Sequence, residues 1–180
     1  MRHHEHPLVE VLSAEAIHDR VRELGAQISA EMDDEPVLLG VLKGACIFLS
    51  DLARAMTAPV LVDFVRLASY GADSYSSGVI TMTKPPELDL KGRSVLIVED
   101  IVDTGRTVRW LLDHLQGLGA RRVKVCAFID KPERREVPLA IDYVGFNVPQ
   151  GFLVGYGLDY NERYRQLAGV YEVKLESRDG

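Results

Sequence analysis

The stretch Val95-Leu96-Ile97-Val98-Glu99-Asp100-Ile101-Val102-Asp103-Thr104-Gly105-Arg106-Thr107-Val108 runs from four aliphatic residues through three carboxylates to a Thr-Gly-Arg-Thr turn. Four apolar residues in a row, without alternation, suit a strand covered on both faces, as in a parallel sheet wrapped by helices. Beyond the turn, Val108, Leu111, Leu112, Leu115 and Leu118 recur at helical spacing, and Gly117 and Gly119 mark an end. The stretch therefore predicts a strand over 95–98, a charged loop, and a helix capped by Asp103 or Thr104.

The same unit repeats on both sides. Residues 37–42, VLLGVL, form another uniformly apolar strand that Lys43-Gly44 ends before a helix over 45–56. Residues 60–65 and 123–129 read as two more strands. Upstream, Ser13 is an N-cap for a helix whose Ile17, Val21, Leu24 and Ile28 share one face. Residues 66–84 are rich in Ser, Gly and Tyr and read as a mobile loop or loose hairpin, β-like near 79–82. Strands alternating with helices give an α/β fold with a central, mostly parallel sheet flanked by helices. Residues 141–173 break that rhythm with short strand-like pieces and read as a small hood lobe formed with the other chain terminus. The expected division is 1–36 for the N-terminal helix and its hood contribution, 37–145 for the α/β core, and 146–180 for the C-terminal hood.

One core is within reach of 180 residues with 47% hydrophobic content. A balance of 21 basic to 27 acidic residues, net charge -6, opposes polyanions and argues against nucleic-acid and membrane-surface partners. The longest apolar runs fall short of the roughly 18 residues that cross a bilayer, and MRHHEHPLVE lacks an apolar signal core, so a cytoplasmic protein is expected. Cys46 and Cys126 sit in apolar runs and read as small buried thiols. His3, His4 and His6 read as a solvated terminus rather than a metal site.

In an open parallel sheet, ligands gather beyond the carboxyl ends of the strands. Three polar clusters follow strand ends here, Lys43-Gly44, Glu99 to Thr107, and Asp130-Lys131-Pro132, and they are predicted to converge. Free amides at a helix start, two hydroxyls and a glycine suit a phosphate monoester. Glu99 and Asp100, where the strand ends, suit vicinal hydroxyls and a hard cation such as Mg²⁺. Phosphate and diol together describe a sugar phosphate, and Asp103 is placed to take a proton from a group bound over the sugar. An aspartic protease would need two Asp-Thr-Gly copies on mostly β lobes, and one is present here. A receiver or phosphoaspartyl domain would not require the paired acids, the Thr-Gly-Arg-Thr turn and Lys43-Gly44 together.

With these residues in view, the chain resembles the type I phosphoribosyltransferases, and among them the group acting on hypoxanthine and guanine. The span Glu99 to Thr107, EDIVDTGRT, is similar to that family's phosphoribosyl pyrophosphate loop, and Leu42-Lys43-Gly44 to its pyrophosphate loop. Ser69-Tyr70-Gly71 resembles the start of its flexible catalytic loop, Asp130-Lys131 its purine-recognition lysine, and residues 144–162 its hood segment. The likeness covers about residues 37–170.

The resemblance implies transfer of ribose 5-phosphate from phosphoribosyl pyrophosphate to a 6-oxopurine, with Mg²⁺ as cofactor. It assigns the ribose hydroxyls to Glu99 and Asp100, the general base to Asp103, and the 5′-phosphate to Asp103, Thr104, Gly105, Arg106 and Thr107. It gives pyrophosphate to Lys43, Gly44 and Arg165, and metal contacts to Glu99, Asp100 and Asp159. Lys131 would donate to the purine 6-oxo group, Phe152 would stack on the ring, and the backbone at Leu153 and Asp159 would read its other edge. Ser69 and Tyr70 would close over the reaction, and a homo-oligomer, dimer or tetramer, is expected. Gly151 leaves no side chain where purine or pyrophosphate contacts would otherwise arise, and Arg134 and Arg135 read as a solvated face. A nucleotide-binding regulator on the same fold is the competing class; the absence of a basic tract disfavours it.

Overall fold

The computed structural model describes residues 7–32, 35–70 and 79–174, with side chains at 69, 70 and 79 excepted. The His3, His4, His6 cluster and loop residues 71–78, including Gly71, lie outside that range.

The larger of two sheets has the order β4-β3-β2-β5-β6-β7, formed by β2 (Val37–Leu42), β3 (Leu61–Tyr70), β4 (Val79–Lys84), β5 (Ser94–Val102), β6 (Arg122–Asp130) and β7 (Tyr143–Asn147). All neighbours are parallel except the β3–β4 hairpin. The chain runs outward from β2 to β3, then returns to place β5 on the other side of β2. That reversal is a topological switch point, and it separates Lys43-Gly44 from the Glu99 loop by one strand spacing.

Several elements outrun their sequence signals. β5 continues four residues past the apolar run because its ladder with β6 does not break at the carboxylates: Glu99 pairs with Ala127, Ile101 with Ile129 and Val102 with Asp130. Residues 66–70, expected in a mobile loop or loose hairpin, complete β3 and form a hairpin with β4 through Ser69↔Ile80 and Tyr70↔Val79. Backbone pairing overrides the polar composition there.

Ser13 caps α1 (Ala14–Glu31) as expected, its Oγ accepting from Ala16 N–H at 3.2 Å. α3 (Arg106–Gly117) differs. Its N-cap is Gly105 at φ 81°, and neither Asp103 nor Thr104 supplies a side-chain cap. Thr104 Oγ1 accepts only a long 3.4 Å bond from Arg106 N–H. At the other end Leu118, counted with the apolar face in the sequence, is the C-cap and is exposed.

The sheet is covered on both sides. α1 and α2 (Cys46–Ala55) bury Leu24, Ile28, Phe48 and Leu52 against Leu96, Val98 and Phe128. α3 buries Leu111 and Leu115 against Leu39, Val65, Ile97 and Val125. Each fully buried aliphatic or phenyl side chain contributes roughly 1.5–3 kcal/mol. Cys126 is buried within the first layer, but Cys46 is exposed at the first turn of α2, whose inward face is Phe48, Leu49 and Leu52.

The second sheet is small, with the order β1-β9-β8, from β1 (Leu8–Leu12), β8 (Leu153–Val154) and β9 (Val170–Val173), all antiparallel. The two chain ends thus meet in the hood. α1 sits with the core: Arg20 donates to Gly145 O (3.0 Å) and Val144 O (2.7 Å) on β7. β7 itself belongs to the large sheet, so the expected 145/146 boundary falls inside this strand and the C-terminal strands of the hood sheet come after it.

Candidate functional site

The three strand-end clusters converge. Asp100 leans on Gly44 so closely that a Cβ added at Gly44 would stand 1.6 Å from Asp100 Oδ2. Only a residue without a side chain lets these two strand ends approach. Val102 pairs with Asp130, and Lys131 N–H donates to Val102 O at 2.9 Å, joining the third cluster to the second.

A cleft of about 220 Å³ opens at this junction, lined by Val41, Leu67, Glu99, Asp103, Thr104 and Thr107 among others. Glu99 is only 7% exposed. Burial, and then the adjacent Asp100 charge, push the Glu99 carboxyl well above the usual range; burial also raises Asp100. Two desolvated acids side by side disfavour each other's charge, and a cation or a set of donors between them would reverse that. Among the described residues no three acid, His or Cys side chains converge as a metal cage. A magnesium ion fits such a site, since it takes one or two carboxylates and completes its shell with phosphate oxygens and water.

Arg106 begins α3 just beyond Gly105, so the free amides of the first turn face the same cleft region. The positive φ of Gly105 permits the sharp entry into the helix, and a Cβ there would meet Arg135 Cδ at 2.7 Å. Arg135 is an element the sequence did not disclose. Its Nε donates to Asp103 O at 3.2 Å, and its Nη2 pairs with Asp130, both side chains being nearly buried. Glu136 N–H donates to Thr104 O at 3.0 Å, and the Glu136 carboxylate pairs with Arg106 at 2.7 Å. Arg134 Nε lies 2.9 Å from Asp103 Oδ1, an oxygen sealed from solvent, in a contact that lacks hydrogen-bond geometry. Arg134 is exposed, as expected of a solvated face, but Arg135 is instead a clamp over the turn at Asp103 to Gly105. A charged run after a strand end reads as a solvated turn unless its neighbours are known, so no signal in the sequence separated the two.

Lys131 is buried at 5% exposure, and its Nζ donates to Gly151 O at 2.8 Å. Burial, and secondarily Arg134, lower its pKa from the ordinary lysine value, while the Asp103 charge works the other way. Phe152 stands 45% exposed, its ring meeting Tyr160 edge-on at 5.4 Å, while Leu153 beside it is buried. A large aromatic left open beside buried polar groups offers a stacking face.

The hood turn closes the other end. Gly157 approaches Gly44 O so that a Cβ would come within 2.1 Å, and Arg165 Nη1 donates to Gly157 O at 2.7 Å. Arg165 pairs with Asp159 at 2.9 Å, and Lys43 with Glu162 at 2.8 Å. Every expected site residue with a described side chain thus lies on these strand ends, the α3 start, the start of β8 or the hood turn; the side chains of Ser69 and Tyr70 lie outside the described set. A larger cavity of about 780 Å³, lined by residues including Ile17, Val21, Arg54 and Tyr156 of α1, α2 and the hood turn, contains none of them. Among them, Glu99, Asp103, Thr104, Gly105 and Thr107 line the smaller cleft.

Known proteins show the same arrangement of chain. A family model described as the phosphoribosyl transferase domain matches residues 9–161. The hypoxanthine-guanine phosphoribosyltransferase of Mycobacterium avium is 46% identical over 167 residues, 89% of this chain and 82% of that protein. That of Aquifex aeolicus is 46% identical over 166 residues, 91% of this chain and 93% of its own length. The crystal structure of a Bacillus anthracis hypoxanthine-guanine phosphoribosyltransferase superposes with a TM-score of 0.88 at 38% identity, covering 92% of this chain and 98% of that one. The chain belongs to the phosphoribosyltransferase family, within its hypoxanthine-guanine group.

Proposed function

We propose that the protein transfers the 5-phosphoribosyl group from phosphoribosyl pyrophosphate to N9 of a 6-oxopurine, hypoxanthine or guanine, forming the nucleoside monophosphate and pyrophosphate in purine salvage. The observation that carries this reading is the cleft in which Glu99, Asp103, Thr104 and Thr107 meet beyond the end of β5, next to the end of β6 that Lys131 follows.

In this reading the amides and hydroxyls of Asp103 to Thr107 hold the 5′-phosphate at the positive end of α3. Glu99 and Asp100 accept from the ribose hydroxyls. Lys43, Gly44 and Arg165 receive pyrophosphate, whose departure leaves positive charge on the sugar and negative charge on itself. Mg²⁺ bound through Glu99, Asp100 and Asp159 would offset that negative charge. Asp103 accepts the purine N7 proton as the base is ribosylated, a service worth about 10²- to 10⁴-fold in rate. Lys131 presents only donors, so it satisfies a 6-oxo acceptor and faces adenine's 6-amino group donor to donor. Phe152 stacks on the ring, and the backbone at Leu153 and Asp159 reads the opposite edge. Ser69 and Tyr70 lead into the segment that excludes water from the reactive sugar.

The chain works in the cytoplasm in this reading, consistent with no helix among the described residues being long and apolar enough to cross a membrane. A dimer or tetramer is part of the same proposal, and sedimentation velocity tests it. The activity is tested by a purine panel of hypoxanthine, guanine, xanthine and adenine with phosphoribosyl pyrophosphate and Mg²⁺. Nucleotide from hypoxanthine or guanine and none from adenine is expected; turnover of adenine alone, or of none, contradicts it.

A further inference from the structure

Glu162 has no part in the roles assigned above, yet it occupies the pyrophosphate end of the site. Its Oε2 lies 2.8 Å from Lys43 Nζ and 3.5 Å from Arg165 Nη2, so one carboxylate oxygen bridges the two cations. A phosphoryl oxygen of pyrophosphate would need that same position between the same two groups. The backbone aims the side chain there. Glu162 is held at φ 62°, an unusual conformation for a residue with a side chain, and its N–H donates to Asp159 Oδ2 at 2.9 Å. Its hydrogen bond with Lys43, and the charges of Lys43 and Arg165, keep the carboxyl below the usual range. Arg165 Nε, buried and without a hydrogen-bond partner, adds a donor that Glu162 leaves unused.

We infer that Glu162 is a displaceable internal counter-anion that competes with pyrophosphate, and with the diphosphate of the donor, for Lys43 and Arg165. This rests on the assignment of Lys43 and Arg165 to pyrophosphate. The bridge is half open to solvent, with the Lys43 and Glu162 side chains 50% and 64% exposed, so it is weak enough to exchange. Its consequence is release. Once the sugar has been transferred, the carboxylate can return to Lys43 and to Arg165, which Asp159 also pairs at 2.9 Å, as pyrophosphate leaves, and the product is held less tightly than it would be without that carboxylate.

The test is titration calorimetry of the full chain with magnesium pyrophosphate, with IMP as a control ligand that does not extend to Lys43. Glu162→Gln should bind pyrophosphate about two- to fivefold more tightly, as expected for loss of one exposed ion pair, with IMP affinity unchanged. Glu162→Asp separates displacement from overall charge, because it keeps the charge but shortens the reach by about 1.5 Å. It too should tighten pyrophosphate binding. Unchanged or weaker binding in Glu162→Gln, or tightening in Glu162→Gln but not in Glu162→Asp, overturns the inference. Lys43→Ala should weaken pyrophosphate binding whatever Glu162 does; if it does not, the assignment of Lys43 fails and the competition fails with it.

Discussion

At the scale of single residues, the proposed site is tested at two side chains of opposite charge at the ends of the paired strands β5 and β6. Asp103 keeps one oxygen sealed from solvent beside Arg134, and Lys131 is buried against Gly151 O. Asp103→Asn keeps the shape but removes proton acceptance; turnover is expected to fall about 10²- to 10⁴-fold while phosphoribosyl pyrophosphate binding changes little. Steady-state kinetics beside calorimetry checks this, and unchanged turnover removes Asp103 from the role of base. Lys131→Gln replaces a pure donor with an amide that can also accept, so the preference for 6-oxo over 6-amino purines should shrink by about 10- to 100-fold. An unaltered preference in competition assays would return Lys131 to a purely structural place. The sequence pointed to both residues because each lies just past a mainly apolar segment, and the structure has β5 end at Val102 and β6 at Asp130. It did not point to Glu162, Arg134 or Arg135, since their partners lie on other elements and only folding brings them together.

At the scale of elements, the turn at Asp103 to Gly105 is shaped from outside itself. Arg135 ties Asp130 at the end of β6 to the Asp103 carbonyl and fills the space over Gly105. Removing one partner of a largely buried ion pair leaves the other charge uncompensated, at a cost of about 3 kcal/mol or more. Arg135→Gln should therefore lower unfolding stability by roughly that amount and raise the KM for phosphoribosyl pyrophosphate more than that for purine. Denaturant unfolding and kinetics read the two effects, and equal rises in both KM values would mean that the turn does not depend on Arg135 for its shape. The order of strands and helices was readable from uniformly apolar runs and helical spacing. Strand ends were not, because β5 and β3 run on through polar residues that only a partner strand keeps extended. The α3 cap was misassigned for a related reason: Asp103 and Thr104 are good capping types, but Gly105 makes the turn and Arg135 occupies the space above it.

At the scale of the whole molecule, a polar contact joins the first helix to the far edge of the sheet. Glu31, at the end of α1, accepts from Tyr143 OH at 2.8 Å on β7 and meets Lys124 Nζ at 3.1 Å on β6. Hydrogen bonds from Gln27, Tyr143 and Lys124 lower its carboxyl to about 2. A depressed carboxyl favours the folded state above its ordinary pKa near 4.5, and that contribution is lost as pH falls from about 4.5 to 2. Glu31→Gln should therefore show a smaller loss of stability over that interval than the wild type, with salt weakening the difference because the group is exposed. Coincident acid-unfolding curves would show that the contact contributes nothing. The hood was anticipated as a union of the chain ends, but the sequence could not show that β1 alone supplies its N-terminal share while α1 stays with the core: one amphipathic face does not say which sheet it will meet. The central claim is that one strand-end cleft holds the donor sugar, and a crystal soaked with phosphoribosyl pyrophosphate, Mg²⁺ and an unreactive purine analogue tests it most directly. Density is expected with the 5′-phosphate on the amides of Thr104 to Thr107 and the ribose hydroxyls on Glu99 and Asp100; donor density elsewhere, such as between α1 and α2, would contradict it.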